Sequence, residues 1–61
     1  MKTQVTINHD IPQEPLKSGD VGYIDGYVTA ADGRSYAVVI CGTEIGYAPI
    51  HSITPTGKFI N

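Results

Sequence analysis

Prolines and glycines punctuate every interval of this chain from Pro12 onward, and no segment carries a helical repeat of apolar residues over ten positions. Proline lacks an N–H and clashes with the preceding turn, and glycine is a poor helix former, so helix interiors are excluded. The chain is expected to be all-β. Its longest strand candidate is Gly19-Asp20-Val21-Gly22-Tyr23-Ile24-Asp25-Gly26-Tyr27-Val28, which is apolar on both faces and rich in glycine. Both faces of such a strand need cover, from the rest of the chain or from a partner.

Gln4-Val5-Thr6-Ile7-Asn8 alternates with period two and reads as a short strand or an extended arm. His9 through Leu16 follows as a polar connector, because Pro12 and Pro15 hold their preceding residues extended. Residues 1–16 are thus expected to be an N-terminal strand or arm with a proline-containing connector, and residues 17–61 a small β-barrel. Lys17-Ser18-Gly19-Asp20 is a turn in which Asp20 is expected to accept backbone N–H groups. The long strand runs to about Ala30. Ala31-Asp32-Gly33-Arg34 then puts an Asp-Gly pair between two apolar runs, a strong hairpin signal. Ser35–Cys41 is the next strand, and Gly42-Thr43 fits a two-residue type II′ turn. Glu44–Ala48 follows and Pro49 ends it. Pro49–Ile53 has room for one 3₁₀ turn, and Lys58-Phe59-Ile60 for a last strand, about five short strands in all.

Two-residue loops at both hairpins fix the cross-strand pairs by counting. Val28 then faces Ala37, and Ala37 faces Ala48; Gly26 faces Val39, and Val39 faces Gly46; Ile24 faces Cys41. That surface is small and apolar, suited to the inside of a tight barrel. The opposite surface carries Thr29 with Tyr36, the row Tyr27, Val38 and Tyr47, the row Asp25, Ile40 and Ile45, and Tyr23. Two readings stand side by side: the large tyrosines complete the core, or they form a contact surface, where tyrosine is enriched. Tyr23, Asp25, Tyr27, Tyr36, Val38, Ile45, Tyr47 and Pro49 are the candidate binding residues. One apolar face is left over either way, which points to a partner; a homo-oligomer is the simplest choice, another protein the alternative.

Size agrees with a need for partners. A 61-residue chain buries only about 60% of its unfolded surface. Cys41 is the single cysteine, so no intrachain disulfide staples the fold, and it reads as a small buried hydrophobe in a reducing compartment. The net charge is −2 with the basic residues dispersed, which disfavours nucleic acid as a partner. No apolar run approaches the ~20 residues that span a bilayer. Met1-Lys2-Thr3-Gln4 does not resemble a signal peptide, so the expected location is cytoplasmic. His9 and His51 lack spaced companion ligands and read as surface or packing residues. Asp25 interrupts an apolar strand, either as an acceptor for a tyrosine or ligand or as an acid at a bulge beside Gly26. No catalytic constellation, metal site or cofactor motif is present, so no catalytic residue and no cofactor is expected.

Lys17-Ser18-Gly19-Asp20, the strand meander and Gly46-Tyr47-Ala48-Pro49-Ile50-His51-Ser52-Ile53 together resemble an SH3-like barrel. SH3 domains carry a Lys-Lys-Gly-Asp turn and a closing Gly-Tyr-Ile-Pro-Ser-Asn-Tyr-Val stretch. The resemblance implies a small barrel with a 3₁₀ turn near the C-terminus. The family's proline-peptide groove uses a tryptophan, an early Ala-Leu-Tyr-Asp-Tyr run and a closing tyrosine; only Pro49 carries over, and Ser52 stands at the closing tyrosine position. A fainter likeness is to the plasmid-encoded type II dihydrofolate reductases, tetrameric barrels with an active site in a central pore. Gly19-Asp20, Gly26-Tyr27, Tyr36-Ala37-Val38, Pro49 and Ile60-Asn61 look similar. Aligned on Pro49, however, Ile45-Gly46-Tyr47-Ala48 replaces that family's Val-Gln-Ile-Tyr. The function expected is therefore a non-catalytic protein-binding or assembly module, of the kind that suits phage or plasmid accessory proteins. A pore-type reductase and a nucleic-acid-binding barrel are the alternatives.

Overall fold

The computed structural model describes residues 1–61. It contains β1 (Lys2–Ile7), β2 (Val21–Thr29), β3 (Ser35–Cys41), β4 (Glu44–Pro49), a 3₁₀ turn (Ile50–Ser52) and β5 (Ile53–Ile60). The protein is all-β, as the punctuation of the sequence requires. The strands form one antiparallel sheet in the order β4-β3-β2-β1-β5. The sheet is not closed into a barrel: β4 and β5 are its two edges. It is strongly curved, giving a body of 31 × 22 × 20 Å.

The β3–β4 hairpin has the counted register. Val39 faces Gly46, and Ala37 faces Ala48, across the two-residue turn Gly42-Thr43, with Gly42 at φ +61. The β2–β3 hairpin departs from it by one residue. Its loop is Ala31-Asp32-Gly33, three residues long, closed by Ala30 N–H donating to the Arg34 carbonyl at 2.8 Å. Gly33 takes φ +85, and Arg34 N–H donates to Asp32 Oδ1 at 2.9 Å. This is the three-residue alternative in which a left-handed glycine ends the turn. Val28 therefore faces Tyr36, and Tyr27 faces Ala37.

A bulge at Asp25 adds a second shift, so that Gly26 faces Val38 but Ile24 faces Val39. The core lies on the concave face. Ala37, Val39 and Ala48 line it from β3 and β4, and Val5 and Ile7 from β1. Ile11 and Leu16, reaching in from the connector, cover it. They can lie close because the sheet beneath them is small: a Cβ built on Gly46 would meet Leu16 Cγ at 2.8 Å. Ile11 N–H donates to the Leu16 carbonyl at 3.1 Å, so the connector is itself a closed loop. Asp20 accepts Lys17 N–H at 3.0 Å, which fixes the turn leading into β2 as expected.

Candidate interaction face

The convex face of β2, β3 and β4 carries three rows. Tyr23, Ile40 and Ile45 form the first, Gly26, Val38 and Tyr47 the second, and Val28, Tyr36 and Pro49 the third. Residues directly opposite one another in a sheet project from the same face, which assigns each row. Ile45 is 61% exposed and Tyr47 53%; Tyr23, Tyr36, Val38 and Ile40 are half-buried. The structure thus gathers six of the eight candidate residues on one surface. Tyr27 is not among them. Its partner is Ala37, so it belongs to the concave side, beyond the end of the core and 66% exposed. Its expected place in the row with Val38 and Tyr47 is overturned by the three-residue loop, which puts Gly26 opposite Val38 instead.

Tyr36 is the hub of this surface. Three open grooves share it. One, of about 400 Å³, is lined by Val28, Ala30, Tyr36 and Tyr47. A second runs between Tyr36, Tyr47 and Pro49 and the connector residues Ile11, Pro12, Gln13 and Glu14. The third leads past Pro49 to Arg34 and His51. Charge enters only at the ends, with Glu14 on one side and Arg34 on the other. The face offers apolar area together with tyrosine side chains that can hydrogen-bond.

Asp25 lies at the margin, in the bulge. Lys2 Nζ donates to its carboxylate and sits 5.1 Å from the centroid of the Tyr23 ring. The hydrogen bond to Asp25 raises the Lys2 pKa, burial opposes it, and the Asp25 and Tyr23 charges add to the rise. Asp25 thus sits in the bulge with Lys2 as its partner.

One cluster escapes sequence reasoning. His9 and His51 are 42 positions apart in sequence, yet their ring centroids lie 6.5 Å apart. His9 Nδ1 lies 3.0 Å from the Asp10 carbonyl and Nε2 3.0 Å from Ser52 Oγ. A carbonyl only accepts, so Nδ1 carries a proton. Ser52 is fully buried, and its contact with the exposed His9 ties the 3₁₀ turn to the end of β1. No group of three or more His, Cys, Asp or Glu side chains is arranged to hold a metal ion. Only the β1–β5 pairing creates this proximity, and no spacing signal announces it. Cys41 packs against the core, where burial, and secondarily the Asp20 charge, raises its thiol pKa.

No helix is long and apolar enough to cross a membrane. Comparison with protein-family models, curated proteins and solved structures returned no match.

Proposed function

We propose that the chain is a non-catalytic binding and assembly module with an SH3-like disposition of strands, and that a second copy of the same chain occupies its convex face. The observation that carries this reading is the absence of charge there. Tyr23, Gly26, Val28, Tyr36, Val38, Ile40, Ile45, Tyr47 and Pro49 include no ionisable acid or base of the Asp, Glu, Lys, Arg or His type. A charged partner finds nothing to pair with, whereas two copies related by a two-fold axis meet without opposing like charges. The β2–β3–β4 meander and the 3₁₀ turn after Pro49 support the SH3-like reading of the strands.

Sedimentation equilibrium tests the proposal. The wild type is expected to associate to an even-numbered oligomer at micromolar concentration. Ile45→Ser/Tyr47→Ser, which leaves the core intact, is expected to weaken that association about 30-fold or more, as for a central interface pair. A wild-type monomer at high micromolar concentration overturns the reading. So does clear NADPH-dependent turnover of dihydrofolate, which would make the rival pore-type reductase the better account.

A further inference from the structure

The open edge of β4 carries a feature that the convex face does not explain. A two-residue turn closes on a hydrogen-bonded pair, here Cys41 with Glu44. Hydrogen bonding then alternates along the hairpin, so Ile45, Tyr47 and Pro49 turn their backbone groups away from β3 to the edge. Pro49 has no N–H to offer. The Tyr47 N–H is taken by Glu14 Oε1, from a side chain far away in sequence. Glu14 is held there by its loop: Glu14 N–H donates to the Ile11 carbonyl at 3.2 Å, and Leu16 is buried against Gly46. The β5 edge is guarded differently, by Pro55, by an irregularity around Gly57 at φ +90, and by Lys58. Proline, bulges and lysine are the usual defences of a sheet edge. On β4, apart from Pro49, one carboxylate does this work.

We propose that β4 is a latent pairing edge for β4 of a second copy of this chain, and that Glu14 is the latch that keeps it shut. In an antiparallel pairing about a two-fold axis at Gly46, Ile45 faces the partner's Tyr47. Each such pair exchanges both of its N–H···O=C bonds, which needs the Tyr47 N–H that Glu14 occupies. Glu44 faces the partner's Ala48, so no like charges oppose. Ile45 and Tyr47 both project from the convex face, so the paired edges would join two aromatic faces into one. The choice of a second copy as partner rests on the assembly reading above; the latch geometry does not.

The test uses Glu14→Ala, Glu14→Asp, whose carboxylate is one methylene short of Tyr47, and Glu14→Gln, which keeps an acceptor. Sedimentation gives the species, and amide exchange followed by NMR gives the state of Tyr47, with Val39 as the reporter of an intact core. The Gln variant is expected to match the wild type. The Ala and Asp variants are expected to exchange at Tyr47 about tenfold faster when dilute, as for a lost charge-assisted hydrogen bond. On concentration they form a species absent from the wild type, in which Tyr47 is protected again. Adding Ile45→Pro, which removes the remaining edge donor, abolishes that species, whereas Ile45→Ser, which keeps the N–H and loses only the convex-face side chain, retains it. The latch is overturned if the variants that fold keep wild-type sedimentation and exchange, or if the new species survives Ile45→Pro. The two proposals separate cleanly. A monomeric wild type with a dimeric Glu14→Ala supports the latch and sinks the convex-face interface; an associating wild type unaffected by Glu14→Ala does the reverse.

Discussion

A methyl group added at Gly46 measures how tightly the connector is locked onto the sheet. Its Cβ would lie 2.8 Å from Leu16 Cγ, 2.9 Å from Leu16 Cδ1 and 3.4 Å from Glu14 Oε1. Carbon atoms in contact sit ~3.5–4.0 Å apart, so Leu16 would have to retreat by about 0.7 Å or more. Leu16 is fully buried and packed among Val5, Ile7, Val39 and Ala48, which leaves it nowhere to go. Overpacking of this kind costs about 1–3 kcal/mol. A domain of this size has only about 3–9 kcal/mol in total, so Gly46→Ala should remove a large share of it. The accompanying fall in Tm is about 4–8 °C per kcal/mol. Leu16→Ala alone vacates core volume and costs about 2–5 kcal/mol. In the double variant the added methyl enters the space that leucine has left. The combined loss should then fall short of the sum by about 1–2 kcal/mol. Urea unfolding of the four proteins, followed by circular dichroism, gives the cycle. Additivity to within about 0.5 kcal/mol would refute the contact, and so would a Gly46→Ala variant as stable as the wild type.

Gly22→Ala should be worse, because its Cβ meets the Ile40 carbonyl oxygen, which is backbone, as well as Cys41 Sγ. A loss of about 3 kcal/mol or more is expected, and a melting curve superimposable on the wild type would contradict it. Gln13 holds φ +67 in the connector, a conformation that favours glycine, so Gln13→Gly should exceed Gln13→Val in stability by about 1–2 kcal/mol; equal denaturation midpoints count against this. The Cys41 thiol is held protonated by burial and by Asp20. Its folded pKa exceeds its unfolded one, so this group's effect on stability is absent at low pH and turns unfavourable as pH rises past the ordinary thiol range. Iodoacetamide should accordingly modify the folded protein more slowly than the urea-unfolded chain at neutral pH, and equal rates would show the thiol to be unperturbed.

The parts of the fold that were legible depended on local chemistry. Gly42-Thr43 has one good reading as a turn, and the β3–β4 register followed from it. Asp32-Gly33 has two. The pair can fill both positions of a two-residue turn or the last two of a three-residue turn, and only the second leaves Asp32 free to accept Arg34 N–H. Choosing wrongly shifts β2 by one residue and exchanges its faces. The bulge at Asp25 shifts the register again in the same sense. Residues before it therefore recover their expected sides, Ile24 inward and Tyr23 outward, while Tyr27 and Val28 change places. Ile11 and Leu16 were illegible as core for another reason. They are isolated apolar residues among prolines and polar residues, without a period to betray which way they point. Together with Val5 and Ile7 they make up four of the seven buried apolar residues, all from the segment before Lys17.

The corrected register also separates two aromatic surfaces that sequence had merged, and this gives the assembly reading its sharpest edge. The concave face is built from small residues, Gly22, Ala37, Gly46 and Ala48, so that Ile11 and Leu16 can lie directly on the sheet. Large apolar side chains are displaced outward as a consequence. Tyr47 and Ile45 go to the convex face; Tyr27 overhangs the end of the core on the concave side. If a second copy covers the convex face, Tyr27 lies outside the contact even though it is the more exposed tyrosine, at 66% against 53%. Exposure alone would rank Tyr27→Ser as the more damaging change; register ranks it as the harmless one. Association constants should therefore be unchanged by Tyr27→Ser and fall about 30-fold or more when Tyr47 and Ile45 are replaced together. Equal losses from the two would mean that the overhang, and not the Tyr36-centred face, is where copies meet.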